Sequence, residues 1–223
     1  MIVTIHQPDF LPWLGFFSRW EMSDLLIILD DVQFLRRGWH HRDRIKTSAG
    51  VRWLTVPVKT KGRYDQKINE VRVSDDPEWR DRHLETIKHA YGKAPNFNAV
   101  FETLSDIYSR KQEYLMDVNL ALLTFGAQML HITVPFQLAS TFRIHSTKSQ
   151  RLVDLVKCVG GDTYLTGQGS RAYLDDSLFE DNGIAVRWQT FEHPVYPQLH
   201  GDFEPNLSVL DYLMMVPVKD IEN

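Results

Sequence analysis

The apolar positions of this chain change their period along its length, and each change predicts a different element. Ile2-Val3-Thr4-Ile5 is a short run rich in β-branched residues, and Leu25 to Leu29 is continuously apolar. The second run keeps no polar positions for a solvated face, which predicts a strand buried on both sides. Between them, Pro12 to Trp20 reads as a helix with proline in its first turn. Strand, helix and strand in so short a span predict a βαβ unit with a right-handed crossover. Ligands of such units bind at the carboxyl ends of the strands. That places His6-Gln7-Pro8 and Asp30-Asp31-Val32-Gln33 on one rim.

A polar, basic stretch from Arg36 to Lys46 follows, then predicted strands at Val51–Val58 and Ile68–Val73 joined by an exposed connection, Lys59–Gln66. The period then lengthens. Asp76-Pro77-Glu78 supplies a helix start, and Trp79, His83, Ile87 and Tyr91 recur at helical spacing. Phe97 to Leu130 continues with steps of three and four residues, as two consecutive helices or one broken one. The last third returns to α/β. Thr147–Val159 reads as an amphipathic helix stopped by Gly160-Gly161, with Thr163–Leu165 and Ala185–Phe191 as strands. Ser208 to Asp211 matches a capping pattern before Tyr212–Met215. No linker, repeat or low-complexity tract divides the chain. The fold expected is therefore α/β, a single domain over 1–223 with a Rossmann-like βαβ start and a helical middle segment at roughly 77–132.

Composition narrows the classes. The chain has 223 residues, 43% hydrophobic and 24% charged, which is ordinary for a folded domain. Lys plus Arg number 25 against 29 Asp plus Glu, a formal charge of -4, so a global footprint for nucleic acid is absent while a local basic patch stays open. The lone cysteine, Cys158, excludes an internal disulfide and points to a reducing compartment. Its place among Val156 and Val159 predicts a buried, inert thiol. No apolar run is long enough to span a bilayer, and Met1 leads into Ile2 without a basic segment or cleavage site. A cytoplasmic protein without a membrane span is expected.

Several groups could carry chemistry. His6 at a strand end suits proton transfer or phosphate contact, or equally a structural hydrogen bond. Asp30, at the end of five aliphatic residues, is a desolvated carboxylate in need of a partner; Asp31 is given no role. Gln33 can donate and accept. Arg42, Arg44 and Lys46 alternate, so an extended segment would line them on one face beside Trp39, able to grip a pyrophosphate or phosphopantetheine arm; a charged, solvated edge strand is the competing reading. His40 and His41 are adjacent and so unsuited to sharing a metal ion. Gly167-x-Gly169-Ser170 follows a short strand, as phosphate- and oxyanion-binding loops do, without completing a dinucleotide or P-loop motif. Phe191 to Gln198 gathers aromatic, imidazole and amide groups around two prolines, Pro194 and Pro197.

In order, these segments resemble the WbqC-like protein family. The opening Ile5–Phe17 reads IHQPDFLPWLGFF, followed by Asp30–Phe34 as DDVQF, then Trp39 and Arg42-Asp43-Arg44-Ile45-Lys46. Tyr164 to Tyr173 matches the strand and Gly-Ser loop, Phe191–Gln198 an F-x-H-P-x-Y-x-Q motif, and Phe203–Asp211 the closing motif. Phe10 stands where tyrosine is usual and Asp43 where asparagine is. The resemblance implies an acyl or aminoacyl (for example glycyl) transferase that forms an amide on an amino sugar or similar amine in bacterial surface-polysaccharide biosynthesis, from a carrier-bound thioester. Within it, His6 or His193 is the base and Asp30 orients the imidazole or binds the amine. The Gly167–Ser170 loop or Gln33 meets the oxyanion, and Arg42, Arg44 and Lys46 hold phosphates of a nucleotide sugar or carrier arm. Gln7, Trp39, Tyr196 and Gln198 complete the substrate-binding candidates. No metal and no cofactor beyond a phosphopantetheine-borne donor is implied; the partners implied are a nucleotide-linked amino sugar and an acyl or peptidyl carrier protein. Two other classes compete. The strand-His-helix-strand opening loosely resembles ATP-using ligases and nucleotidyltransferases such as pantothenate synthetase, yet His6 is followed by Gln7-Pro8-Asp9 and the paired-histidine element is missing. A non-catalytic binding module for a nucleotide sugar or carrier protein would show ligand binding without turnover.

Overall fold

The computed structural model describes residues 1–217 of the chain. The fold is α/β, with a five-stranded parallel sheet and seven α-helices among the described residues. The chain divides into two compact units. The first comprises Met1–Gln7, Gly15–Val32 and Ile132–Glu192, and the second Pro8–Leu14, Gln33–His131 and the segment from His193 onward.

The first unit carries the sheet. β1 (Ile2–His6), α1 (Leu14–Glu21) and β2 (Leu25–Ile28) form the expected βαβ opening, and all four residues of β2 are buried. β5 (Phe136–Leu138), α5 (Lys148–Cys158), β6 (Thr163–Thr166), α6 (Asp176–Asp181) and β7 (Ala185–Trp188) complete it. The sheet order is β5-β2-β1-β6-β7, every pair parallel. The core includes Val3, Ile5, Ile27, Val153, Val156 and Phe179. Gly161 lies so close that a Cβ there would meet Val3 Cγ2 at 2.6 Å. A side chain at this position, where the chain enters β6, would therefore force Val3 to shift.

The second unit holds the antiparallel hairpin β3 (Arg42–Thr47) and β4 (Gly50–Thr55), with Thr47 paired to Gly50 across the turn. α2 (Trp79–Tyr91), α3 (Phe97–Ser109), α4 (Leu115–Met129) and α7 (Val209–Met215) bury Trp79, Tyr91, Leu104, Leu122, Phe125 and Leu213. His83 is tied into this interior, with Nδ1 at 3.2 Å from the Tyr108 hydroxyl and Nε2 at 3.1 Å from the Thr55 carbonyl. Burial holds its pKa down to about 4.

Several expectations change. The predicted strand Ile68–Val73 is a single 3₁₀ turn over Ile68–Glu70, with only isolated bridges at Arg72 and Val73. The Glu70 carboxylate accepts the Lys67 N–H at 3.0 Å, a local bond that competes with a strand ladder. The strand at Val51–Val58 ends at Thr55, before Pro57, which lacks an N–H to continue the ladder. Cys158 is exposed, not buried. It closes α5 two residues past buried Val156, and a two-residue step rotates a side chain by about 200° around a helix. β5 was not anticipated; with Phe136 and Gln137 exposed it has no buried face to produce a pattern. Among the described residues, no helix is long and apolar enough to cross a membrane.

Candidate functional site

Two adjacent strand ends build a rim in the first unit. β1 closes on His6, whose register partner in β2 is Ile28, and the His6 carbonyl accepts the Leu29 N–H at 2.8 Å. Asp30 follows on that neighbouring strand. It is 2% exposed, and its Oδ1 accepts the Ser140 N–H at 3.0 Å from the turn after β5. The carboxylate is thus desolvated and fixed by a backbone donor. His6 Nδ1 lies 2.9 Å from the Gln7 carbonyl, and its ring meets Phe16 edge-on with centroids 5.0 Å apart. A carbonyl only accepts, so in the neutral imidazole Nδ1 carries the proton and Nε2 the lone pair.

On the other side of β1, β6 ends at Thr166 and runs into Gly167 and a 3₁₀ turn at Gln168–Ser170. The chain leaves β1 toward β2 and β5, but leaves β6 toward β7. The topological switch point of the sheet is therefore between β1 and β6, where open α/β sheets receive ligands. Arg19 of α1 is 7% exposed there, donating from Nη1 to Gln189 Oε1 at 3.2 Å. Gln189, just past β7, donates in turn to the Gly15 carbonyl at 2.9 Å. A Cβ on Gly167 would stand 2.5 Å from Arg19 Nη1, so glycine is what lets the guanidinium approach the turn. The Ser170 hydroxyl accepts from Thr166 Oγ1 at 3.1 Å and lies 3.0 Å from the Tyr173 hydroxyl, while Gly169 faces open space. Asp31, given no role from sequence, is gripped by Arg151 Nη2, 2.7 Å from each carboxylate oxygen.

His6, Gln7, Asp30, Gly167, Gly169 and Ser170 thus belong to one unit, and the remaining sequence-derived candidates belong to the other. There, Gln33 donates to the Tyr64 carbonyl at 3.3 Å. Trp39 is exposed and in contact with Trp53, centroids 5.3 Å apart. The Arg42 guanidinium lies 4.5 Å from the Trp53 ring centre and donates to the Arg37 carbonyl. Arg44 lies 5.7 Å from the Trp39 ring centre and donates to the Asn206 carbonyl. Lys46 leaves the stripe its spacing suggested. It is buried, with Nζ bonded to Gln198 Oε1 at 3.1 Å and to the Gly201 and Asp202 carbonyls. His193 Nδ1 is 2.9 Å from the Pro194 carbonyl, its ring beside Tyr196 and Phe203. Tyr196 and Gln198 both donate to Asp211 Oδ2, at 2.9 and 2.8 Å, and Tyr91 donates to Oδ1 at 2.8 Å. Burial raises the pKa of Asp211 and lifts the Tyr91 and Tyr196 hydroxyls well above the usual tyrosine range.

Sequence reasoning did not single out Arg19, Gln189, Arg151 or Asp211 as partners. A signal existed for Arg19, a lone cation inside an aromatic helix face, and for Asp211 within a capping pattern; Arg151 and Gln189 carried none. A cleft of about 620 Å³ in the second unit, lined by residues including Arg72, Arg80, Tyr108 and Glu113, contains none of the candidates. Among the described residues no group of three or more His, Cys, Asp and Glu side chains is placed to hold a metal ion.

Compared with known proteins, residues 7–223 match a family described as the WbqC-like protein family. A relative from Mycobacterium tuberculosis, described as "Uncharacterized protein Rv1507c", is 34% identical over 220 residues, covering 96% of this chain and 93% of the relative. No solved structure matches.

Proposed function

The chain belongs to the WbqC-like protein family, and on that premise we propose that it transfers an acyl or aminoacyl group onto the amine of an amino sugar in the making of a bacterial surface polysaccharide. The observation that carries this reading is the rim of β1 and β2, where an imidazole ends one strand and a desolvated, backbone-anchored carboxylate follows the next. Amide formation needs a neutral amine and a general base. His6, whose Nδ1 lies 2.9 Å from the Gln7 carbonyl at the end of β1, is the base for that task. The substrate ammonium first sheds a proton to solvent. As the amine nitrogen attacks the thioester carbonyl, His6 Nε2 takes a second proton and returns it to the departing thiolate sulfur. The C–N bond forms and the C–S bond breaks with no net charge left on the protein. Asp30 stabilises positive charge on that rim, and donors of the Gly167–Ser170 turn meet the oxyanion. Arg19 at the switch point supplies a fixed cation for a phosphate of a nucleotide-linked acceptor. The donor in this scheme is a thioester on a phosphopantetheine arm, and His193, in the second unit, is the other candidate base.

The test is amide formation from a thioester and a nucleotide-linked amino sugar, followed by mass spectrometry. His6→Ala should lower turnover roughly 10²–10⁴-fold. Equal turnover in His6→Ala and wild type would end the assignment, and loss in His193→Ala alone would move the base to that residue. The strand order favours a second reading, an ATP-dependent ligase or nucleotidyl-transfer enzyme, because a switch point beside a strand-end histidine is where a nucleotide would lie. Release of AMP or pyrophosphate from ATP in the presence of a carboxylic acid would establish that reading instead.

A further inference from the structure

Between Leu35 and Tyr64 the chain concentrates nine of its 25 Lys and Arg residues but only one, Asp43, of its 29 Asp and Glu residues. The same stretch holds Leu35, Trp39, Val51, Trp53 and Tyr64, large apolar side chains each 40% to 74% exposed. Contacts with arginines tie Trp39, Trp53 and Tyr64 into this surface. Arg36 lies 5.4 Å from the Tyr64 ring centre, Arg42 bonds the Arg37 carbonyl and covers Trp53, and Trp53 meets Trp39, which carries Arg44. None of Arg36, Arg37, Arg42, Arg44 and Arg52 has a carboxylate partner among the described residues, although surface arginines elsewhere do, such as Arg110 with Asp106. Asp43 does not offset them. It is buried, and burial pushes its carboxyl up to about 8, so it is mostly neutral at pH 7.

We propose that the outer face of the β3–β4 hairpin, with the Leu35–Trp39 segment and Tyr64, is a docking surface for an acidic protein segment that sets an apolar side chain against Trp39 and Trp53 and its carboxylates against Arg42 and Arg44. Three features select this occupant. Charge complementarity demands an anionic partner on a band that a chain of net charge -4 leaves basic. Exposed tryptophan, tyrosine and arginine together are the residues that dominate protein interfaces. The guanidinium groups already lie over the tryptophan rings, so a nucleobase could stack on those faces only by displacing them. The same contacts hold the arginine forks in place before binding, which lowers the entropy lost on gripping a carboxylate. This surface is independent of the chemistry assigned to His6.

The experiment uses the whole protein and a fluorescein-labelled, helix-forming peptide of about 16 residues with glutamates flanking two leucines. Anisotropy should report micromolar binding that weakens as salt rises. Trp53→Ala, and separately the double change Arg42→Glu with Arg44→Glu, should each weaken it about tenfold or more, while Arg110→Glu leaves it unchanged. Far-UV circular dichroism checks that each variant folds, and Trp53→Phe, expected to weaken binding about threefold, serves if Trp53→Ala does not fold. No binding, equal binding by the wild type and the folded variants, or equal binding of a peptide with alanines for leucines would overturn the proposal. So would displacement of the peptide by micromolar pyrophosphate or uridine diphosphate, which would make the band a phosphate site.

Discussion

Asp211 shows how one buried carboxylate can organise a motif. Tyr91, Tyr196 and Gln198 all donate to it, and Gln198 in turn accepts from Lys46 and from the Glu204 N–H. Asp211→Ala would leave those donors buried without an acceptor, so urea denaturation should show a loss of about 3 kcal/mol. An unchanged midpoint would show that the network contributes nothing. Two other buried groups make stability depend on pH in opposite senses. The folded pKa of His83, about 4, lies below its ordinary 6.5. Its contribution, up to about 3 kcal/mol, is therefore present above pH 6.5 and lost as pH falls toward 4. Asp43 has a folded pKa of about 8, raised from 3.8 chiefly by burial, so its contribution is full below pH 3.8 and is lost as pH rises toward 8. Denaturation midpoints against pH should flatten on the acid side in His83→Gln and on the alkaline side in Asp43→Asn; curves parallel to wild type would reject both. At this scale the sequence was legible where spacing along one element decides an environment, as for His6 and Asp30 at strand ends. It was silent where a partner arrives from far along the chain. Lys46 shares alternation with Arg42 and Arg44, yet the Gln198–Asp202 segment captures its ammonium, and alternation cannot register that.

Elements built on a buried stripe were readable and those without one were not. The fully apolar β2, the βαβ opening and the helix α5 follow from period and capping, because burial on a regular element forces apolar residues to recur with its geometry. The segment 68–73 carries Ile68, Val71 and Val73 and so passes for a strand, but its first three residues close a 3₁₀ turn in which the Glu70 carboxylate accepts the Lys67 N–H. The junction between α5 and β6 makes the sharpest demand on sequence. Gly161→Ala would drive a methyl group to 2.6 Å from Val3 Cγ2 and 2.9 Å from Val156 Cγ1. Overpacking of this kind costs about 1–3 kcal/mol, so the melting temperature should fall by several degrees. Gly169→Ala, where a Cβ meets nothing within 4 Å, is the control that should leave it in place.

At the scale of the molecule, each compact unit is assembled from three stretches of chain, which is why no composition shift or linker marked a boundary. The sheet takes β1 and β2 from before residue 131 and β5, β6 and β7 from after it. Fragments 1–131 and 132–217 made separately should each lack a completed sheet and show weak, non-cooperative thermal transitions by circular dichroism; a sharp transition in either would contradict this architecture. β1 is the middle strand, and its neighbour β6 arrives late, with Thr4 donating to the Leu165 carbonyl across a separation of 161 residues. During translation β1 must therefore remain half-paired, one edge of backbone N–H and C=O groups open, until most of the chain has left the ribosome. For that interval the strand that ends in His6 is open to self-association, and slower synthesis or chaperone shortage should raise aggregation without altering the stability of molecules that finish folding.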